Sequence, residues 1–273
     1  DITADVWNSV FTDLMKSGRG PAYIDCSETS EEDIQYMTWS LEHEGNTAML
    51  NYMEKEGIGV RKHRVEFTQY EPHLIGRGVD IDLEGQSTVS GLYAAGDPVG
   101  NFRADIGGAA TFGWIAGENA ALKADRMGDF EQAEKSALVD ETRTRYSNML
   151  NRSEGATWKE ANMTLQKLMS DYAGVEVRSE TLLKAGLIYL GRLREKMDNE
   201  LCADSAHDLM RCQETINLLD CGEALMNAAL ERKETRQMHR RSDFPFTNPL
   251  LAEKFLTVRQ ESGKPVLEWR DKK

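Results

Sequence analysis

Ready ligands for a metal are scarce in this sequence. Its 273 residues hold four cysteines and five histidines. The cysteines (Cys26, Cys202, Cys212 and Cys221) include no close Cys-x-x-Cys pair, which argues against a zinc site, a thioredoxin-type motif or a resident iron–sulfur cluster. His43 and His207 have no acidic or Cys partner at ligand spacing, so no metal is assigned. Four unpaired thiols suit buried cysteines in a reducing cytoplasm. Positive charge is also in deficit: 33 Lys and Arg face 46 Asp and Glu, for a net charge of −13. Such a surface repels polyphosphate, which argues against a nucleic-acid partner or an anionic membrane surface. No apolar run approaches the length of a bilayer span, so no membrane insertion is expected. The chain opens on Asp1-Ile2-Thr3, with neither an initiator Met nor a signal pattern, as expected of a chain either cut at that point or processed.

What is present is ordinary for a globular protein: 40% hydrophobic and 29% charged residues, enough to pack a core. Val6, Val10, Phe11 and Leu14 follow helical spacing up to Gly18-Arg19-Gly20-Pro21. Ala22-Tyr23-Ile24 reads as a short strand, and Glu31 to Glu56 as helix with a break near Gly45. Residues 63–127 change character. Val65-Glu66-Phe67, the alternating Val79-Asp80-Ile81-Asp82-Leu83 and Gly91-Leu92-Tyr93-Ala94-Ala95-Gly96-Asp97 read as strands, the last a buried one ending in a tight turn. Gly107-Gly108 then opens a helix rich in small residues, Ala109 to about Lys123.

From Phe130 to Arg240 the pattern is helical almost throughout. Leu183, Leu187 and Leu190 make one stripe behind an N-cap at Ser179, and Ile216, Leu219, Met226 and Leu230 make another. Short connections predict antiparallel neighbours in a three- or four-helix bundle. Met149, Met163, Met169, Met197 and Met226 read as core filling. In the tail, Phe255 to Arg259 and Pro265 to Trp269 flank Glu261-Ser262-Gly263-Lys264 like a hairpin. The fold class expected is α+β and mostly helical: a small β-rich segment, then an antiparallel helical bundle and a C-terminal hairpin tail.

The residues with chemical potential sit in the small-residue stretch. A strand ending in Gly96-Asp97 lets backbone approach a ligand and presents a carboxylate that accepts bonds from sugar or ribityl hydroxyls. Gly107 and Gly108 at a helix start offer unshielded N–H groups at the positive end of the dipole. Together they suit the ribityl chain and the N1/C2=O edge of a flavin, the edge that gains negative charge on reduction. The same residues also suit a plain strand–turn–helix packing corner. The alternating charges from Arg232 to Asp243 read as ion pairs anchoring the tail, and Trp114 as packing beside the proposed flavin-edge helix.

Gly91 to Asp97, with Ile106-Gly107-Gly108-Ala109-Ala110 and Phe112-Gly113-Trp114-Ile115-Ala116-Gly117, resembles the second flavin-binding segment of the fumarate reductase/succinate dehydrogenase flavoprotein family. Glu231 to Pro245 resembles that family's Arg-Lys-Glu-Ser-Arg-Gly-x-His-x-Arg-x-Asp-Phe-Pro run, and Gly174-Val175-Glu176-Val177-Arg178 its helical-domain signature. Glu71-Pro72-His73-Leu74-Ile75-Gly76 is more similar to the adenylylsulfate reductase alpha-subunit branch. Only the family's C-terminal portion is matched, because no Gly-x-Gly-x-x-Gly follows a strand. The resemblance implies a capping-domain remnant (1–62), the second flavin-binding segment (63–127), a helical bundle domain (128–240) and a C-terminal tail (241–273).

It further implies FAD, held by Gly96, Asp97, Gly107, Gly108, Ala110 and Thr111. The implied partners are the missing N-terminal FAD-binding segment and an iron–sulfur or cytochrome electron-transfer subunit. The family's catalytic positions do not carry over. Its capping-segment Arg falls on Ala4, its substrate Arg on Asp105, its substrate His near Pro72, and the reductase branch's His on Gly78. Dicarboxylates need cationic clamps and a proton donor, so fumarate and succinate are not the expected substrates. His73, Arg77 and Arg103 remain as candidate replacements. The expectation is therefore part of a FAD-dependent oxidoreductase subunit, inactive as this piece alone; the alternative is a non-catalytic helical interaction module of a flavoprotein complex.

Overall fold

Ser and Thr placed one residue ahead of apolar-periodic runs decide where most helices begin. The computed structural model describes residues 14, 17–20, 22–67, 78–100, 106–127, 137–174, 178–236 and 239–272. The chain divides into two compact units, Asp1–Glu71 and Pro72–Lys273.

In the first unit, β1 (Ala22–Ile24) pairs antiparallel with β2 (Val65–Phe67), Ile24 opposite Val65. Helix α1 (Glu31–His43) starts at Ser30, whose side chain accepts from the Asp33 N–H, and three acidic residues in its first turn complement the dipole. Gly45, at φ +85°, makes the break before α2 (Thr47–Lys55). Val6, Val10 and Phe11 lie outside the described residues. Leu14 is helical, and Gly18 at φ +72° follows it, with the Arg19 N–H bonded to the Leu14 carbonyl.

In the second unit, a loop over 78–100 leads to α3 (Ile106–Met127), then α4 (Ala137–Asn151), α5 (Trp158–Ala173), α6 (Glu180–Glu200) and α7 (Ala206–Glu231). Thr157 and Glu160 form a reciprocal capping box at the start of α5. Ser179 accepts from the Leu182 N–H at the start of α6, and Ser205 from the Asp208 N–H at α7. Short connections turn α5, α6 and α7 back on one another, and their facing stripes make the core. Leu183, Leu190, Leu219 and Met226 are at most 1% exposed, with Leu187 and Leu230 packed against them. The helices approach closely at Gly186, where an added Cβ would stand 2.7 Å from Tyr172 Cβ and 2.9 Å from Met226 Sδ.

The tail closes the unit. β3 (Lys254–Glu261) and β4 (Lys264–Asp271) pair antiparallel through a two-residue turn in which Ser262 and Gly263 both have positive φ, the geometry that matches strand twist. The fold is thus mostly helical, with a helical bundle and a C-terminal hairpin as expected.

Several local expectations need correction. Residues 79–83 and 91–97 form isolated bridges instead of strands: Val79 with Val99, Ile81 with Ser87, and Gln86 with Tyr93. The Asp82 side chain accepts from the Glu84 and Gln86 N–H groups and curls the chain into a turn, ending any ladder there. Gly91 and Leu92 are exposed, because nothing among the described residues covers them. Met163 is 70% exposed, so only part of the Met stripe fills the core. Of the thiols, Cys26 and Cys212 are buried but Cys221 is exposed; burial pushes the Cys212 thiol up to about 11.

Candidate functional site

The loop over 78–100 is folded back on itself by glycines. An added Cβ at Gly78 would lie 2.2 Å from the Pro98 carbonyl oxygen, so only glycine lets the two ends of the loop cross. The Val79 N–H donates to the Pro98 carbonyl, and the Gly100 N–H to the Val79 carbonyl. Gly96, at φ +77°, takes the left-handed turn that Gly tolerates, and its carbonyl accepts from the Val99 N–H. Asp97, the next residue, is exposed.

This loop lies along one face of α3. A Cβ built on Gly96 stands 3.7 Å from Ala109 Cβ, and one on Gly85 only 2.7 Å from Ala116 Cβ. The Tyr93 hydroxyl reaches the Asn119 carbonyl at 3.5 Å, and Lys123 Nζ donates to Gln86 Oε1 and, at 2.7 Å, to Ser90 Oγ. The Gly96-Asp97 turn is therefore set against the first turns of α3, which carry Gly107, Gly108, Ala110 and Thr111. Gly107, Ala110 and Thr111 are exposed and Gly108 is half-buried. Thr111 Oγ1 donates to the Gly107 carbonyl at 2.9 Å, so its hydroxyl has only lone pairs left to offer.

Sequence reasoning passed over Gly85 and Lys123, which lock the loop to α3. Gly85 closes the Asp82 turn, a signal readable locally. Lys123 is 37 residues from Gln86 and carried no local signal. Trp114, expected to pack, is 77% exposed. His73, Arg77 and Arg103 lie outside the described residues, as do Ala4, Asp105 and Pro72. Among the described residues no group of three or more His, Cys, Asp or Glu is placed to hold a metal ion, and no helix is long and apolar enough to cross a membrane.

The charged run from Arg232 to Asp243 forms a separate, structural cluster. Glu234 is fully buried between Arg232 and Arg236 and accepts from the Asn248 N–H at 2.9 Å. Burial by itself raises its carboxyl, and the bonds from Arg236, Asn248 and Arg232 outweigh that and hold it low. His239 Nε2 lies 2.8 Å from the Arg232 carbonyl, and Nδ1 3.4 Å from the Arg178 guanidinium. Burial, aided by the nearby Arg charges, pushes this imidazole down to about 4.

Residues 162–272 match the family described as Fumarate reductase flavoprotein C-term. The chain is 27% identical over 258 residues to a fumarate reductase (CoM/CoB) subunit of Methanothermobacter marburgensis, covering 89% of this chain and 44% of that one. It is also 27% identical over 260 residues to an uncharacterised FAD-dependent oxidoreductase of Methanocaldococcus jannaschii, covering 90% and 44%. The fold is shared with adenylylsulfate reductase of Archaeoglobus fulgidus, at a TM-score of 0.75 and 21% identity over 99% of this chain and 50% of that one. The chain thus spans less than half the length of the curated relatives it matches.

Proposed function

We propose that this chain is part of a FAD-dependent oxidoreductase subunit that exchanges electrons between a small substrate and a separate redox partner. The carrying observation is the Gly96-Asp97 turn seated on Ala109, which brings an exposed carboxylate and a glycine-opened helix start to one corner. The donor set fits a flavin. Asp97 would accept from ribityl hydroxyls, and the Gly107 and Gly108 N–H groups, at the positive end of α3, would donate to the pyrimidine edge. Exposed Ala110 and Thr111 would let that edge approach without a bulky side chain in the way. When bound, FAD supplies the electron transfer; the protein positions it and tunes its edges.

The substrate is other than fumarate or succinate, since Ala4 and Asp105 stand where the family has substrate arginines. His73, Arg77 and Arg103 are the side chains proposed to supply charge and a proton to it. On this reading, 1–62 is a capping-domain remnant, 63–127 the second flavin-binding segment, 128–240 the helical bundle domain and 241–273 the tail. The redox partner is an iron–sulfur or cytochrome subunit, since no cysteine spacing for a cluster occurs in the chain. Free cysteines, with no disulfide among them, support a cytoplasmic setting.

A second reading is a non-catalytic helical interaction module of a flavoprotein complex; it is favoured by the packed helical bundle. The visible spectrum of the intact gene product, before and after dithionite, separates the two. A flavin absorbance that bleaches, and that Asp97→Ala diminishes, supports the oxidoreductase. Colourless folded protein that takes up no added FAD leaves the module.

A further inference from the structure

Successive residues of a strand point to opposite faces, and on β4 the neighbours Trp269 and Arg270 use those faces for different contacts. Trp269 Nε1 donates to Glu231 Oε1 at 3.2 Å, and the Arg232 guanidinium stands 5.3 Å from the centre of its ring. That side of the hairpin is therefore fixed to the end of α7. Arg270 reaches across 190 residues of sequence, its NH1 donating to Asp80 Oδ2 at 2.7 Å. Glu268 orients the same guanidinium, with NH2 to Oε2 at 3.2 Å. The Arg270 and Asp80 side chains are only 35% and 31% exposed, where a pair is screened less than one in open solvent.

Asp80 adjoins the point where the 78–100 loop crosses itself. Its neighbour Val79 donates to the Pro98 carbonyl and accepts from the Gly100 N–H, while the Val99 N–H bonds the Gly96 carbonyl. Pro98 directly follows Asp97. The loop has isolated bridges in place of a ladder, so side chains must hold it. Lys123 does so at Gln86 and Ser90, and Arg270 at Asp80. We infer that Arg270 is a positioning residue for the Gly96-Asp97 turn. It carries the rigidity of the bundle through Asp80 and the Val79–Pro98 bond to the Asp97 carboxylate. A carboxylate on a loose loop must be ordered when a ligand binds, which lowers affinity; the Arg270–Asp80 pair orders it beforehand. The inference rests on the oxidoreductase reading for its ligand, a flavin.

The test measures FAD affinity of the intact gene product by equilibrium dialysis, in Arg270→Gln and in Asp80→Asn, which breaks the same contact from the loop side. Each is expected to weaken binding by about 3- to 10-fold, and Arg270→Lys by less. Arg259→Gln, which breaks the Glu261 pair on the same hairpin, should leave affinity unchanged. The deciding readout is the combination with Asp97→Ala: once that carboxylate is gone, Arg270→Gln should weaken binding no further. A loss of equal size in both backgrounds, or full affinity in Arg270→Gln and Asp80→Asn, would overturn the inference while the bound flavin keeps the oxidoreductase reading. Hydrogen exchange at the Val79, Val99 and Gly100 amides is read without flavin. It should quicken by about 3- to 10-fold in Arg270→Gln and stay unchanged in Arg259→Gln. Protein that never takes up FAD but shows this quickening sinks the oxidoreductase reading and leaves the hold of Arg270 on the turn standing; unchanged exchange sinks that hold.

Discussion

Arg241 and Asp243 grip each other through two parallel hydrogen bonds, Nε to Oδ1 at 2.8 Å and NH2 to Oδ2 at 2.7 Å, and between them they tie two helix ends. The remaining Arg241 nitrogen donates to the Ala229 and Leu230 carbonyls at the end of α7, while Asp243 Oδ2 accepts from the Glu180 N–H at the start of α6. A cation thus meets a negative helix end and an anion a positive one. Arg241 is 1% exposed, so its loss takes the donor from two helix-end carbonyls and the charged partner from Asp243, which keeps the Glu180 N–H. Arg241→Met is expected to lower unfolding stability by about 3–5 kcal/mol, and Arg241→Lys by somewhat less, since one ammonium cannot make the fork. Urea unfolding of both variants tests this; a loss below about 1 kcal/mol for Arg241→Met would refute it.

The same pair sets an acid limit. The Arg241 bonds hold the Asp243 carboxyl down to about 2, against an ordinary 3.8. Its folded value is the lower one, so its contribution is complete above pH 3.8 and is lost as pH falls towards 2. Asp243→Asn should be less stable at neutral pH and show a shallower decline over that window.

His239 acts at higher pH. Burial lowers it from 6.5 to about 4, so the folded protein keeps it neutral while the unfolded chain protonates. Stability from this group is full above pH 6.5 and falls between 6.5 and 4, by on the order of 3 kcal/mol in all. The bond to the Arg232 carbonyl assigns the proton to Nε2, leaving Nδ1 as acceptor towards Arg178. An NMR titration in which His239 changes charge near pH 6.5 would contradict this.

Two glycines of α6 should respond oppositely to one substitution. Gly186→Ala pushes a methyl towards Tyr172 Cβ and Met226 Sδ and should destabilise by about 1–3 kcal/mol, outweighing the helix-propensity gain. Gly191, with nothing within 4 Å of an added Cβ, should gain up to about 1 kcal/mol as Ala. Thermal melts of the two variants should move in opposite directions.

At the hairpin, Ser262 holds φ +50° without a glycine's freedom. Ser262→Asn is expected to raise stability by a few tenths to about 1 kcal/mol, since Asn tolerates the left-handed region better. An unchanged or lower melting temperature would show that the Ser262 strain is relieved elsewhere.

The helix onset at Glu31, the cap at Ser179, the break at Gly45 and the hairpin at Ser262-Gly263 were legible because each is set by neighbours within four residues; the caps at Ser30 and Ser205, set the same way, were passed over. So were the Leu183–Leu190 and Ile216–Met226 stripes, whose spacing is the helix repeat itself. The expected strand over 91–97 failed because a strand needs a partner elsewhere in the chain, and alternation in sequence does not supply one. The apposition of Gly96 with Ala109 was hinted at by composition alone; Lys123 on Gln86 and Ser90 left no trace in local sequence.

By itself, then, the sequence determined the helices, their caps and apolar faces, and the chemical character of the residues at 96–97 and 107–111, because propensity, capping and periodicity are short-range. Tertiary structure alone decided that Glu234 and Arg241 are buried and His239 half-buried, with the protonation that follows. It alone decided that Gly186 is a contact and Gly191 is not, and that one face of α3 meets the loop while Trp114 stands in solvent. Burial and proximity depend on which distant surfaces meet, and identical residue types take opposite roles accordingly.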